Sequence, residues 1–380
     1  MDEHYEHLGP FSSWVEQARR RVPLYPPAPP GPEMRERVRD LLGFSGDPEE
    51  PADVRVERTW ERDGLLGEEV SWSVGYGPRT RSWVLKPASA SGPLPGVLAL
   101  HGHDGFKLLG KEKIADGPGD PSPVVVGMRE SMYGGLAFPN VLAREGFVVL
   151  AHDAFLWGSR RFPLESMPER TRSIAEATRE SWVGSGEYPS ETALYNAAAF
   201  HHEHLVEKYC ALLGTTLAGV VSHEDRMAVS YLLSRPDVVA DNVGCAGLSG
   251  GGCRAALLQA TCDEVEAAVI VGMMSTYEHL LDHNVEGHTW MFLPYGLARI
   301  GDWPDLAACR APSPLMVQYD RGDDLFALEG MLAAHRRLTD RYREAGDPEA
   351  YTGEFYDGPH KFDAWMQESA FAWLKAQLAG

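Results

Sequence analysis

The sequence has few cysteines and no long apolar run. Its five cysteines form no C-x-x-C pair, and their odd number argues against a disulfide framework. No stretch reaches the roughly 18 consecutive apolar residues of a membrane span. The acidic N-terminus lacks the basic-then-apolar order of a signal peptide. We therefore expect a cytoplasmic protein with reduced, buried cysteines and no membrane partner.

Basic residues are also in short supply. The chain has 55 acidic against 35 basic residues, which gives a formal net charge of −20. Such a field repels a phosphate backbone, so we expect no nucleic-acid partner. Hydrophobic residues make up 44% and charged residues 24% of the chain, which favours a globular protein with a sizeable core. The composition leaves the oligomeric state open and is compatible with a homo-oligomer.

The 380 residues are expected to form one decorated domain. Residues 1–50 contain two short helical patterns separated by the proline-rich stretch PLYPPAPPGP, because proline rings prevent a continuous helix. This segment predicts an arm packed on the main domain, which is expected over 51–380. Three β-like runs between residues 54 and 86 predict an antiparallel start to a sheet.

From Gly96 onward, short apolar runs alternate with longer helical patterns. The runs are GVLAL, GFVVLAHD, VGCAGL, EAAVIVG, PLMVQY and TGEFYD. This alternation predicts an α/β fold with a mostly parallel central sheet and helices on both faces. Ligands of such sheets bind beyond the carboxyl ends of the strands. Two connections, near 104–140 and 155–222, are much longer than usual and predict a lid or pocket wall.

A G-x-S-x-G pattern joins the run VGCAGL to a helix-forming stretch. Its members are Gly247, Ser249 and Gly251. Between a strand and a helix this pattern indicates a nucleophile elbow, a sharp turn that lifts the serine hydroxyl above the sheet. Glycine is required because a Cβ at either flank would collide in so tight a turn. The alternative is that Ser249 merely caps the following helix.

A nucleophilic serine needs a histidine base and a carboxylate, which follow it in the chain in the order acid, then histidine. His360 comes just after the run TGEFYD, and no other late histidine follows a strand. The acid lies in DRGDD, which follows PLMVQY and contains Asp320, Asp323 and Asp324. These residues alone leave the choice open, because any of the three could instead cap the next helix.

Backbone N–H groups are expected to face the oxyanion that forms during acyl transfer. The loop after GVLAL reads HGHDG from His101, the H-G turn expected at this position. We expect the N–H groups of Gly250 and His103 to form the oxyanion hole, with Asp104 as the second choice after His103.

These motifs resemble the dienelactone-hydrolase and acetyl-xylan-esterase-like branch of the α/β-hydrolases, from roughly Val97 to the C-terminus. They are HGHDGFKLLGKEK, HDAFLWGSRR, GLSGGG, HTWMFLPYGL, DRGDDLF and GPHKF. The resemblance implies acyl hydrolysis and selects Asp323 as the acid, because such proteins often carry glycine where Asp320 stands. The elbow lacks the glutamine that follows the serine in cephalosporin-deacetylating esterases, so sugar-acetate specificity is not implied.

Side chains of the long connections and of HTWMFLPYGL predict a substrate pocket. The candidates are Asp104, Tyr133, Trp157, His288 and Trp290. For the aromatic members the alternative is simple burial in the core.

Basic side chains gather in the same long connections. They are Lys107, Lys111, Lys113, Arg129, Arg160 and Arg161. They either bind a substrate carboxylate or pair with acids such as Glu112, Asp153 and Glu165 to fix the loops. By the resemblance, Arg160 and Arg161 are structural.

Two groups of histidines could in principle bind a metal. His201, His202 and His204 lie in HHEH, and His279 and His283 stand four apart on a predicted helix. Neither group forms H-E-x-x-H or has a carboxylate at metal-site spacing. We expect no metal and no other cofactor.

The ordered serine, acid and histidine predict a serine hydrolase that cleaves a carboxylic ester or lactone of a small molecule through an acyl-enzyme. A peptidase or an acyl transferase on the same triad is the enzymatic alternative. A ligand-binding protein without activity is the alternative outside enzymes. The lack of a propeller domain like that of related oligopeptidases favours esters over peptides.

Overall fold

One large sheet organises the molecule. A computed structural model describes residues 5, 7–44, 50–178, 190–281 and 285–378. Across these residues, nine strands form a sheet in the order β1-β2-β3-β5-β4-β6-β7-β8-β9. Their bounds are β1 Ala52–Arg62, β2 Leu65–Ser73, β3 Thr80–Pro87, β4 Leu94–Leu100, β5 Val148–His152, β6 Val238–Leu248, β7 Ala267–Val271, β8 Leu315–Asp320 and β9 Tyr351–Tyr356.

The sheet is antiparallel at one end and parallel over the rest. Strands β1, β2 and β3 form an antiparallel meander, and β3 also pairs antiparallel with β5. All pairings from β5 through β4, β6, β7 and β8 to β9 are parallel. The predicted antiparallel start and the mostly parallel centre are both confirmed.

Helices cover both faces of the sheet. Their bounds are α1 Ser13–Arg21, α2 Pro32–Leu42, α3 Pro123–Met132, α4 Phe138–Arg144, α5 Glu169–Thr178, α6 Ser190–Leu212, α7 Leu217–Leu233, α8 Gly250–Thr261, α9 Leu297–Ile300, α10 Trp303–Ala307, α11 Leu328–Glu344 and α12 Ala364–Leu378. No single helix among the described residues is long and apolar enough to cross a membrane, although α6 and α7, bent by 86°, pass that test as a pair.

The alternation of side chains along β4 explains why both faces are covered. Leu98 and Leu100 join a core cluster with residues of α2, α7, α8 and α11. Val97 and Ala99 join a second cluster with residues of α4 and α12 on the opposite face. Successive side chains of a strand point to opposite faces, so a strand that is apolar throughout requires helices on both sides.

The N-terminal segment lies against the main body of the protein. Helix α2 begins with Pro32 and buries Met34, Val38 and Leu42 in the core shared with α7 and α8. Proline suits this first position because its missing N–H would have no partner within the helix. The backbone N–H of Tyr25 donates to a carbonyl in α9 over 2.8 Å, which fixes the proline-rich stretch.

The two long connections carry helices. Helices α3 and α4 lie between β4 and β5, and α5, α6 and α7 lie between β5 and β6. Helix α7 is buried along nearly all its length and begins at Leu217, inside the range 155–222. Residues 217–222 of this range therefore belong to a helix that packs on the sheet. Residues 179–189 of the same range lie outside the described residues. All five cysteines are buried free thiols, as expected.

Candidate active site

Ser249 occupies the sharp turn between β6 and α8. Its backbone has φ 59° and ψ −119°, a conformation that residues other than glycine rarely adopt. The turn is held by the Ser249 N–H, which donates to the carbonyl of Val271 over 2.9 Å. Within the described residues the serine side chain makes no capping hydrogen bond to α8. The capping interpretation is therefore wrong.

The glycines of the elbow are required by close backbone contacts. A Cβ on Gly251 would lie 2.2 Å from the carbonyl oxygen of Leu100, and a Cβ on Gly247 would lie 2.5 Å from the carbonyl carbon of Gly251. Backbone atoms cannot rotate out of the way as a side chain can. The predicted need for glycine is confirmed, and the close approach brings the start of α8 to the end of β4.

Asp323 and His360 meet where the loops after β8 and β9 join. Oδ2 of Asp323 lies 2.6 Å from Nδ1 of His360, and Oδ1 accepts the N–H of Leu325 over 2.8 Å. The Asp323 side chain is completely buried. The two loops are linked by the N–H of Gly322, which donates to the carbonyl of Gly358 over 2.9 Å. This contact holds the carboxylate and the imidazole in one geometry.

The other two candidate acids have different surroundings. Asp320 is buried, and its Oδ2 accepts the N–H of Lys361 over 3.0 Å. Its Oδ1 has no hydrogen-bond partner among the described residues. Burial raises the pKa of Asp320 to about 7. Asp324 is exposed. The geometry therefore favours Asp323 as the carboxylate that orients His360.

The electrostatic surroundings of His360 favour its protonated form. Burial alone would lower the pKa of His360, but the carboxylates of Asp323, Asp320 and Asp104 outweigh burial and raise the pKa above 6.5. An imidazole that stabilises a proton in this way is suited to take one from a neighbouring hydroxyl.

The backbone N–H groups of His103 and Gly250 lie side by side. A Cβ on Gly250 would lie only 2.5 Å from the backbone nitrogen of His103. Gly250 is the first residue of α8, where backbone N–H groups have no acceptor within the helix. The two groups expected to face an oxyanion are thus neighbours. Asp104, the second choice, has φ 55° and directs its carboxylate to Lys113 over 2.7 Å.

Lys113 holds the peptide that precedes the His103 N–H. Its Nζ is completely buried and donates to the carbonyl of Gly102 over 2.6 Å. A trans peptide carries its C=O and N–H on opposite sides. Because the Gly102 carbonyl points to Lys113, the N–H of His103 points away from Lys113.

Arg254 of α8 holds the carbonyl one residue earlier. Its Nη1 donates to the carbonyl of His101 over 3.1 Å, and its Nη2 lies 2.6 Å from Oδ1 of Asp225. Burial would raise the pKa of Asp225, but Arg254 and His152 outweigh it and lower the pKa to about 2. Burial, with the charges of Arg254 and Lys113, lowers the pKa of His101 well below its usual range. His101 is therefore neutral and adds no further positive charge.

Glu203 of α6 is a buried residue that connects several segments around the site, and the sequence analysis did not identify it. Its Oε2 lies 2.9 Å from Nε2 of His103 and also contacts Lys107, while its Oε1 accepts from Oγ1 of Thr289 over 2.6 Å and from the N–H of Trp290 over 2.8 Å. Burial would raise the pKa of Glu203, but Lys107 and His103 outweigh it and lower the pKa well below the usual range. No local signal marks Glu203, because His103 lies 100 residues away in the chain.

A cavity of about 890 Å³ lies against these groups. Ser249 and His360 both line it, together with His103, Asp104 and Gly250. The remaining lining comes from the loop after β4, α3, α6, α8, the segment after β7 and the segments around residues 288 and 326. Ser249, His360, His103 and Gly250 therefore border one space that can hold a substrate.

Two of the five predicted pocket residues line this cavity, namely Asp104 and His288. The other three, all aromatic, are not among its lining residues. Trp157 is buried and its indole N–H donates to the carbonyl of His103 over 3.3 Å, and Tyr133 is completely buried in the core. Trp290 donates instead through its indole N–H to Nδ1 of His204 over 2.8 Å. Large aromatic side chains bury well in cores and in pocket walls alike, so their presence in a connection did not distinguish the two.

The basic side chains of the long connections pair with acids or backbone and do not line the cavity. The contacts are Lys107 with Glu203, Lys111 with Glu112 and Asp153, Lys113 with Asp104, Arg129 with Asp116, Arg160 with Glu224, and Arg161 with the carbonyl of Gly158. The pairing interpretation is confirmed, with Glu112 and Asp153 among the expected partners.

Among the described residues, one group of acidic and histidine side chains is close enough together to bind a metal ion. It consists of Asp320, Asp323 and His360, whose ligand atoms lie within 4.8 Å of one another. Its closest contact is the hydrogen bond between Asp323 and His360. In the HHEH group, His204 accepts from Trp290. His283 of the second histidine group lies outside the described residues.

Comparisons with known proteins agree with this architecture. No model of a known protein family matches the chain. YtaP of Bacillus subtilis, named as a candidate hydrolase, is 24% identical over 325 residues, which are 84% of this chain and 90% of YtaP. A candidate acetyl xylan esterase of Bacteroides fragilis matches with a TM-score of 0.62 and 16% identity, over 85% of this chain and 73% of that chain. The chain has the α/β-hydrolase fold.

A further solved structure with this fold extends the comparison. The glucuronoyl esterase of Solibacter usitatus matches with a TM-score of 0.55 and 15% identity, over 90% of this chain and 91% of that chain. The resemblance to acetyl xylan esterases that the motifs indicated is confirmed in the fold.

Replacing Lys113 by methionine should slow the reaction of Ser249 with a fluorophosphonate about tenfold or more, because the His103 N–H loses its fixed direction. The second-order labelling rate measures the effect. Lys111→Met is the matched control, since it removes another buried ammonium, one that pairs with Glu112 and Asp153. Equal losses in both variants, at matched folded fractions, would contradict the role of Lys113.

Proposed function

We propose that this protein is a serine esterase that cleaves a carboxylic ester or lactone of a small molecule. The observation that carries the proposal is the hydrogen bond between Asp323 and His360, formed at the same cavity that exposes Ser249 in a strained turn. A serine, an acid and a histidine in this chain order are the parts of a catalytic triad.

The reaction follows from these positions. Oγ of Ser249 attacks the ester carbonyl carbon while Nε2 of His360 takes the hydroxyl proton, and Asp323 stabilises the imidazolium through Nδ1–H. The N–H groups of Gly250 and His103 stabilise the oxyanion. His360 then gives its proton to the alcohol as the ester bond breaks. Water, deprotonated by His360, releases the acid from the acyl-enzyme.

The names of similar proteins support ester cleavage. The two solved structures are named as a candidate acetyl xylan esterase and a glucuronoyl esterase, and YtaP is named as a candidate hydrolase. Esters are therefore the first substrates to test. Aminoacyl anilides separate this proposal from a peptidase, because an esterase should leave them intact.

Replacing Ser249 by alanine should abolish ester hydrolysis while leaving the fold intact. We expect kcat to fall on the order of 10⁴- to 10⁶-fold, as deletion of a triad nucleophile does. Turnover of 4-nitrophenyl esters measures the loss, and circular dichroism checks the fold. Unchanged turnover in folded Ser249→Ala protein would disprove the proposed nucleophile.

Asp323→Asn should lower kcat by about 10⁴-fold, because the amide cannot stabilise the imidazolium and favours the wrong tautomer. Asp324→Asn is the matched control, a neighbouring acid on the surface, and should stay near wild type. Steady-state kinetics of the two variants against the same ester decide between them. A large loss only in the Asp324 variant would reassign the acid.

The pH dependence of kcat/KM should have its acidic limb above pH 6.5, because the pKa of His360 is raised above that value. Only the neutral imidazole can act as the base, so activity is lost as the pH falls through the raised pKa. Rates measured over a pH series in buffers of equal ionic strength locate the limb. A limb at or below 6.5 would contradict the effect of the surrounding carboxylates.

A further inference from the structure

The cavity above Ser249 has two apolar walls, which together indicate what kind of ester it takes. We infer that it selects esters with uncharged, apolar groups larger than acetyl, rather than acetylated sugars or anionic esters. This inference rests on the proposed function. It concerns the substrate class that the same site accepts.

The first wall comes from α3 and the loop after β4. Val124, Met128 and Met132 line the cavity along one side of α3, next to Phe106. Phe106 and Met128 are buried. These side chains have no group that could hydrogen-bond strongly with a hydroxyl, whereas they gain free energy by covering hydrocarbon.

The second wall is a packed aromatic cluster. Phe292 stacks on Trp303 at 5.1 Å between centroids and meets Phe326 edge to face at 5.5 Å. Phe292, Phe326 and Met273 line the cavity and are buried. Aromatic packing of this kind holds the wall in place before a substrate enters. Whichever wall receives the acyl group, the other receives the alcohol, and both walls are apolar.

Apart from His360, the described lining offers an anionic substrate no cation that is not already paired. Among the described residues that line it there is no lysine, arginine or glutamate. The Asp104 carboxylate is paired with Lys113. Burial lowers the pKa of His288 to about 4, so that imidazole is neutral near pH 7. An anionic group would be desolvated here without a compensating cation.

Sugar recognition needs more polar partners than the lining supplies. Apart from Ser249 and His360, the polar side chains of the described lining are Asp104, which pairs with Lys113, His103, which pairs with Glu203, and Ser131, Cys253, His288 and Thr289. Thr289 already donates to Glu203, and the described residues contain no partner for Nε2 of His288. A sugar ring would bury several hydroxyls for which few acceptors exist, and each unsatisfied group weakens binding.

The size of the cavity fits an extended apolar group. Its volume of about 890 Å³ lies in the upper part of the range for drug-sized ligands. Each added methylene that meets an apolar wall improves binding of the transition state, by roughly tenfold in favourable cases. Lengthening the acyl chain should therefore raise kcat/KM until the cavity is filled.

A panel of four esters tests the inference on the full-length wild type. The probes are 4-nitrophenyl acetate, butyrate and hemisuccinate, and, as the sugar acetate, methyl 2-O-acetyl-β-D-xylopyranoside, which keeps two free hydroxyls. We expect kcat/KM for the butyrate to exceed that for the acetate about tenfold, and the hemisuccinate and the sugar acetate to be poorer than the butyrate. A preference for either the sugar acetate or the hemisuccinate over the butyrate would overturn the inference.

A pair of variants on one helix tests whether the α3 wall is responsible. Val124→Asp places a carboxylate in the cavity, whereas Val126→Asp makes the same change at a residue that is 40% exposed and outside the lining. We expect kcat/KM for the butyrate to fall about tenfold or more in Val124→Asp, through desolvation of the carboxylate. The Val126→Asp variant should stay unchanged. Equal effects in both variants would overturn the role of this wall.

Failure of the inference is distinguishable from failure of the proposed function. The proposed function fails if the wild type cleaves no ester of the panel. It also fails if Ser249→Ala cleaves these esters as fast as the wild type does. If it cleaves the sugar acetate best and Ser249→Ala does not, the esterase proposal stands and the inference about the substrate class is wrong.

Discussion

Two buried cations hold successive carbonyl groups of the loop after β4, and the geometry of the candidate site depends on that hold. Arg254 binds the carbonyl of His101 and Lys113 binds that of Gly102. Burying an ammonium and a guanidinium is expensive unless each has a carboxylate partner, and both do. The loop cannot relax without leaving a charge unpaired in the interior. Its N–H groups are therefore fixed before any substrate arrives, which is the condition for electrostatic stabilisation of an oxyanion.

The loop after β4 is also held by helix α6. Glu203 of α6 binds the imidazole of His103 and also the backbone at Trp290. The Glu203 carboxylate thus links the loop after β4, helix α6 of the second long connection and the backbone at Trp290. The net charge of the chain gives no indication of these pairs. Asp104, Asp225 and Glu203 are each the partner of a buried cation or imidazole.

Local patterns predicted the sheet, the elbow and the order of serine, acid and histidine, because strand alternation and tight turns depend on neighbours in the chain. The direction in which each candidate carboxylate points could not be predicted from these patterns. Asp320 and Asp323 are three residues apart, and only the folded loop shows which carboxylate meets His360. Contacts between residues far apart in the chain, such as that of Glu203 with His103, produce no local sequence pattern from which they could be predicted. Burial of Trp157 was equally compatible with a wall or a core.

The cavity is lined by helices of the long connections, whereas the candidate triad residues follow strands of the sheet. The lining helices should therefore tolerate substitution to different degrees. Helix α3 lines the cavity, but Ser249, Asp323 and His360 follow the ends of β6, β8 and β9. Its lining positions can therefore diverge between relatives, or be redesigned, with the reacting groups left in place. Helix α6 is more constrained, because a replacement must keep a carboxylate at position 203. Evolution of new specificity in this scaffold should thus proceed through α3 first.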